Sequence, residues 1–238
     1  MATAQLAAPG AAMYPMPAAP VPRSQYLYAV VCASNQNRSM EGHRVLGEIG
    51  LQICSDGTGS AVRLPGPTID KPNVYDFGTP YATILADLVG KDRALYDANG
   101  LVAMLERNRR IESAPERWQD ASLQHQFDVV LTCKERVFDA GCEGTLFSRN
   151  PVRDNAGLTR GTVVGRWSRP SSCNTPVHVV NLEIKDNPTE AAVGGRLFVD
   201  LARLIEACPD LDAGLDTLLR DFATQFTTHP LLHCVCFH

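Results

Sequence analysis

Tyr26-Leu-Tyr-Ala-Val-Val-Cys32-Ala-Ser-Asn-Gln-Asn-Arg38-Ser39 is the stretch that decides the fold. Its first seven residues are short, apolar and β-favouring, the pattern of a buried strand. A polar loop follows, and from Arg38 to Gly47 the chain reads as the first turns of a helix, with Met40, Val45 and Leu46 available for packing. A cysteine, five residues and an arginine therefore link a strand to a helix. Five residues (Ala33, Ser34, Asn35, Gln36 and Asn37) are enough to wrap into a ring whose backbone N–H groups point inward. Such a ring, joined to a helix N-terminus, is an anion cradle. Arg38 adds a planar fork that matches two phosphate oxygens. The same positive field favours the thiolate of Cys32. Ser39 is placed to donate a hydrogen bond to that thiolate, and Asn35 to brace the loop through its amide. A bare C-x5-R is a weak pattern, equally met by an inert strand-end thiol and a solvated arginine. Its position between a buried strand and a helix is what gives it weight.

Working outward, Leu51–Ser55 suggests a second short strand. Pro65, Pro67, Pro72 and Pro80 mark an irregular stretch. Two helical segments are expected over Ala82–Val89 and Leu95–Asn108. Phe127–Cys133 and Val177–Ile184 read as further strands. Between them the Gly-, Arg- and Ser-rich run Gly141–Thr175 lacks periodicity and reads as a loop insertion. Asn187-Pro188-Thr189-Glu190 carries the marks of a helix start: a capping side chain, Pro at the first position, and an acid three residues after the cap. That helix is expected to reach about Ala207. Leu211–Phe226 is a last helix and Leu231–Phe237 a closing strand.

Strands alternating with helices imply a three-layer αβα architecture with a mostly parallel central sheet. Ligands of such sheets bind at the carboxyl ends of the strands. Cys32, Cys133 and the Lys185–Asn187 loop all fall at such ends, on one edge of the sheet. Asp186 is therefore the candidate general acid. Attack by Cys32 on a phosphate ester gives a phosphocysteine and expels an alkoxide, which needs a proton. A positioned acid contributes roughly 10²–10⁴-fold to that step. The same carboxylate then takes a proton from the water that hydrolyses the intermediate. This chemistry requires no metal and no cofactor.

The chain has 238 residues, 45% of them hydrophobic, enough for a real core, and a formal net charge of -4. That charge argues against direct, non-specific nucleic-acid binding. No run of eighteen apolar residues exists, so no membrane span is expected. Residues 1–24, rich in Ala and Pro, are expected to form a disordered tail, with a transit peptide as the lesser alternative. Residues 25–238 form the single folded domain.

Taken together, these motifs resemble the eukaryotic RNA polymerase II carboxy-terminal-domain serine phosphatases of the cleavage and polyadenylation machinery. That family is related to the low-molecular-weight protein tyrosine phosphatases. The resemblance rests on Val30–Glu41, Leu64-Pro-Gly-Pro67, Asp70–Phe77, Arg107-Asn108 with Arg110-Ile111, Leu131–Val137, Pro176–Asn181, Asp186-Asn187 and His233–Phe237, in the same order along the chain. It implies the low-molecular-weight tyrosine phosphatase-like fold with inserted helices. It also implies Cys32, Arg38, Ser39 and Asp186 as catalytic residues, and a peptide groove including Leu64, Pro65, Tyr96 and Met104. The implied substrate is the phosphorylated heptad repeat of the polymerase tail, at the fifth and seventh serines. At the fifth, the following proline is accepted in cis, a minor but accessible state of X–Pro bonds. Functional coupling to a prolyl isomerase, a symplekin-type scaffold partner and a nuclear location follow from the same resemblance. Asp186-Asn-Pro188 departs from the family by having Pro where His is usual. The Gly141–Thr175 stretch is longer than the family's link, and the Ala/Pro tail is extra.

Three other features admit alternative readings. His233-Cys234-Val-Cys236-Phe-His238 has the look of metal-ligand spacing, yet period two puts both cysteines on one strand face and reads as packing. Cys133 and Cys142, with Cys32, suggest the thiol set of a thioredoxin-coupled arsenate reductase, which requires disulfide reach between them. The arginines of the insertion read as a solvated loop. A non-catalytic scaffold is the alternative of another class, opposed by the intact Cys32, Arg38, Ser39 and Asp186. With eight cysteines in a long chain without a signal peptide, reduced thiols are expected rather than a disulfide framework.

Overall fold

The computed structural model describes residues 24–121, 125–147 and 175–237, the last four of the second stretch by backbone alone. The chain begins with β1 (Leu27–Cys32) and turns through the polar loop into α1 (Arg38–Glu48). Next come β2 (Gln52–Gly57), β3 (Val62–Leu64), β4 (Asn73–Tyr75), α2 (Tyr81–Ala98), α3 (Leu101–Asn108) and the single turn α4 (Trp118–Ala121). β5 (Val129–Thr132), α5 (Glu135–Phe147), β6 (Pro176–Leu182), α6 (Pro188–Glu206), α7 (Leu211–Gln225) and β7 (Leu231–Phe237) complete it.

Five strands form one sheet in the order β2-β1-β5-β6-β7. The first four are parallel, and β7 runs antiparallel to β6. Strand alternation sends Tyr28, Val30 and Cys32 to one face and Ala29 and Val31 to the other. The first face is covered by α1, α6 and α7, with Phe198, Leu201, Ile205 and Phe222 buried against it. The second is covered by α4 and α5, with Trp118 and Val137. Each fully buried aliphatic or aromatic side chain contributes on the order of 1.5–3 kcal/mol. The expected three-layer arrangement is therefore present. A second, smaller core lies beside it, made by α2, α3 and the antiparallel β3–β4 hairpin around Tyr81, Leu88 and Leu105.

Asn187 caps α6 as its sequence requires: its side-chain oxygen accepts the N–H of Glu190 at 2.9 Å. Gly194 does not interrupt this helix. A Cβ there would lie 2.3 Å from Ile184 Cδ1, so glycine is what lets α6 lie close over the strand end. The break expected between Val89 and Leu95 is a kink within α2 at Asp92, whose side chain accepts the N–H of Leu95. The expected segment Leu95–Asn108 is not one helix, because a left-handed turn at Gly100 divides it between α2 and α3.

The differences from expectation are local. The Pro-rich stretch contains the β3–β4 hairpin, and α4 and α5 are additional. Where the loop was expected to start at Gly141, the chain is instead helical, because α5 continues to Phe147. Gly141 itself is buried one helical turn past Val137, over Thr132 and Val179. Ser24, expected in the tail, is buried and donates to Glu206 Oε1 at 3.1 Å and to the carbonyl of Tyr26. Residues 1–23 and 148–174, which carry the rest of the expected tail and insertion, lie outside the described residues.

Candidate active site

β1 ends at Cys32 and α1 begins at Arg38, so the five intervening residues must reverse direction within one turn. Asn35 takes φ of +49° to do it, a left-handed conformation that Asn tolerates better than most residues. The loop carbonyls face outward, and each of the following has a donor. Cys32 O accepts from the N–H of Thr58, and Ala33 O from that of Gly59. Asn35 O accepts from the Tyr81 hydroxyl at 2.6 Å, Gln36 O from Arg107 and Asn108, and Asn37 O from Arg107 and the Glu41 N–H. Among the described residues the N–H groups of Ser34 to Asn37 meet no acceptor. Outward carbonyls and unengaged amides are what an anion cradle requires.

Two supports are close-packed. A Cβ on Gly57 would lie 2.9 Å from the Asn35 nitrogen and 2.8 Å from the Phe77 ring. Arg107 is mostly buried and pairs with Glu41 at 2.9 Å while holding the loop carbonyls. Burial works to raise the Glu41 carboxyl, but hydrogen bonds and charge from Arg44 and Arg107 outweigh it and hold it below the usual range.

Cys32 Sγ lies 3.1 Å from Ser39 Oγ, and both residues are buried. Ser39 Oγ also reaches Asn35 Oδ1 at 2.9 Å, while the Asn35 amide nitrogen donates to Ser55 O. The serine hydroxyl thus has two acceptors within range, and turns to the sulfur when that sulfur is ionised. Arg38 is 5% exposed. Its Nη1 donates to the strand-end carbonyls of Cys133 (3.2 Å) and Ile184 (2.9 Å), tying α1 to β5 and β6. Nη2 pairs with Asp186 Oδ2 at 3.1 Å, and Nε is buried with no acceptor among the described residues. Asp186 is 60% exposed and also accepts from the Asn37 amide at 3.1 Å.

The cleft above the loop is lined by Cys32, Ser34, Gln36, Asn37 and Asp186, and by Leu64, Pro65 and Met104. The loop, the acid and three of the four expected groove residues therefore meet. Tyr96 does not reach the cleft: it is buried under the hairpin, where its hydroxyl accepts from Asn73 at 2.9 Å. Arg63, Asn99, Gly100, Leu101, Asn187 and Pro188 also line the cleft and were not anticipated. Gly100 falls inside the segment Leu95–Asn108 expected as one helix, so no local reading pointed to the turn that brings Asn99, Gly100 and Leu101 to the cleft. Cys133 packs in the core on the Cys32 face and Cys142 in that of the opposite face. The sheet thus separates the two thiols that the arsenate-reductase reading needs together. Burial pushes the Cys133 thiol up, and the neighbouring Cys32 adds to this.

A family model described as Ssu72-like protein matches residues 26–238. The RNA polymerase II C-terminal domain phosphatase ssu72 of Schizosaccharomyces pombe is 44% identical over 217 residues, covering 91% of this chain and 98% of the relative. The Homo sapiens protein of the corresponding name is 42% identical over 218 residues, covering 92% and 100%. Among solved structures, Drosophila melanogaster Ssu72 with Symplekin, bound to a cis peptidomimetic of the CTD phosphorylated at the fifth-position serine, superposes with a TM-score of 0.75. It is 38% identical and covers 90% of this chain and 100% of that one. A further crystal structure of the D. melanogaster serine phosphatase gives a TM-score of 0.76 at 39% identity, with the same coverage.

Proposed function

Because this chain belongs to the Ssu72-like family, we propose that it removes phosphate from serines of the RNA polymerase II carboxy-terminal heptad repeats through a phosphocysteine intermediate. The observation that carries the mechanism is the buried Arg38 Nε without an acceptor among the described residues, beside a loop whose carbonyls are turned away. A buried guanidinium donor left unmet costs about 1–3 kcal/mol. A phosphate oxygen in the cleft removes that cost. The Arg38–Asp186 pair does not compete strongly, since an ion pair with so exposed a partner is worth roughly 0–1 kcal/mol.

With the phosphate seated on the loop amides and on Arg38, the Cys32 thiolate attacks phosphorus in line with the serine oxygen. The S–P bond forms as the P–O bond breaks, and Asp186 gives its proton to the departing oxygen. A water molecule then loses its proton to Asp186 and attacks phosphorus. The S–P bond breaks, and Ser39 donates its hydrogen bond to the returning thiolate. Leu64, Pro65 and Met104 supply the apolar wall on which residues flanking the phosphoserine rest. The fifth-position phosphoserine with a cis proline is the preferred form, in keeping with the peptidomimetic on the Drosophila relative, and the seventh-position serine is a second substrate. We further infer a symplekin-type scaffold as partner, kinetic coupling to a prolyl isomerase, and action in the nucleus at transcript 3′ ends.

Turnover of singly phosphorylated heptad peptides carrying cis- or trans-locked proline analogues tests this reading. Wild type should release phosphate from the cis-locked fifth-position peptide, with Cys32→Ser inactive. Release by Cys32→Ser at the wild-type rate overturns the mechanism. Arsenate reduction dependent on Cys133 and Cys142 overturns the substrate class.

A further inference from the structure

Cys142 on α5 and Cys234 and Cys236 on β7 bring three sulfurs together far from the catalytic loop. Their Sγ atoms all lie within 4.8 Å of one another. Two periodicities produce the cluster. Spacing of two on a strand puts Cys234 and Cys236 on one face, opposite Val179 and Val177 in the antiparallel register. α5 crosses that same face, and Cys142, one turn beyond Phe138, packs into the same apolar cluster. The spacing of 234 and 236 alone reads as packing; the third thiol, from a different element, is what changes the reading. Cys236 is buried, whereas Cys142 and Cys234 are only partly so, and the cluster is therefore open on one side. It sits at the outer strand, with β5 and β6 between it and the strand that carries Cys32.

We propose that Cys142, Cys234 and Cys236 form a binding site for one thiophilic d10 metal ion of the Zn²⁺ class. An ion centred among three sulfurs so spaced lies at most about 2.8 Å from each, against a Zn–S bond of about 2.3 Å. Side-chain rotation of a few tenths of an ångström closes that gap. Thiolates select such ions over hard cations such as Mg²⁺ or Ca²⁺. Binding converts up to three S–H groups to thiolates and releases the corresponding protons. Its structural effect is to clip the last strand to α5. The open side leaves a fourth coordination position to solvent.

The test uses the full chain with Cys32→Ser, so that the catalytic sulfur does not compete for metal, under anaerobic reducing conditions. Zn²⁺ is titrated against a chromophoric chelator, and Co²⁺ is used as a spectroscopic substitute. The expected result is one equivalent bound, a thiolate-to-cobalt charge-transfer absorption, and affinity lowered more than about tenfold by Cys142→Ser, Cys234→Ser or Cys236→Ser. Cys234 is only partly buried, so its variant keeps the test valid if Cys236→Ser does not fold. Binding unchanged in the Cys142→Ser and Cys234→Ser variants, or a cobalt spectrum without the thiolate absorption, overturns the proposal. Cys234→Ser in the otherwise wild-type chain should retain phosphatase turnover, which separates this site from the catalytic one.

Discussion

The proton logic of the site rests on individual atoms, and Asp186 is where it is most exposed to test. Serine is a poor leaving group, while an aryl phosphate leaves as a stabilised phenolate that needs little proton donation. Asp186→Asn should therefore lower kcat on a phosphoserine peptide by roughly 10²–10⁴-fold and affect p-nitrophenyl phosphate far less. Equal losses on both substrates in steady-state assays would assign Asp186 a binding role instead. At this scale the sequence is informative where spacing is short. Cys32, Arg38 and Ser39 share one strand–loop–helix segment, and Asp186 announces itself by standing just before a well-signalled helix cap. Arg107 and Asn108 belong to a matching stretch, yet nothing in it says that they hold the carbonyls of Gln36 and Asn37. That contact spans about seventy residues and is invisible to periodicity.

The loop is an element whose shape is imposed from outside. Tyr81, Arg107, Asn108 and Gly57 each fix one part of it. Gly57→Ala should force the Asn35 nitrogen or the Phe77 ring to move by several tenths of an ångström. The expected outcome is a kcat loss of about tenfold or more, consistent with the cost of small displacements in reacting geometry, while far-UV circular dichroism stays unchanged. Arg107→Met leaves Glu41 paired with Arg44 but strips two loop carbonyls of a donor. It should cost roughly 3 kcal/mol in urea denaturation and weaken inhibition by free phosphate. Long elements were legible from their periodicity, including α6, α7 and the kink near Asp92. The α2–α3 turn at Gly100 was not, since it falls inside the expected segment Leu95–Asn108. Nor was the β3–β4 hairpin. Three-residue strands are too short to show alternation, and their prolines read as punctuation.

For the molecule as a whole, pH enters through an array across β6, β7 and α7 in which His178 is buried while Asp212 and Asp216 are exposed. His178 Nε2 meets Asp212 Oδ1 at 3.2 Å, and its Nδ1 meets His233 Nε2 at 3.3 Å. His233 Nδ1 in turn meets Asp216 Oδ1 at 2.8 Å. Burial, then repulsion from His233, holds His178 below its ordinary 6.5 despite Asp212 and Asp216. A base whose folded value is depressed is protonated first in the unfolded chain. Stability should therefore fall as pH drops below about 6.5, and His178→Phe should flatten that slope in chemical denaturation between about pH 7.5 and 5.5. A slope unchanged in the variant would place the titration elsewhere. The αβα layering was legible because it follows from strand–helix alternation. The antiparallel sense of β7 was not, since direction leaves no mark on a strand's composition. That reversal has a practical outcome. Phe237 pairs with Pro176 at the start of β6, and the described chain enters at Ser24 just before β1, so both ends of the described residues lie at the rim opposite the cleft. A fluorescent reporter joined beyond Phe237 should leave peptide access unhindered, and the enzyme should tolerate immobilisation through that end.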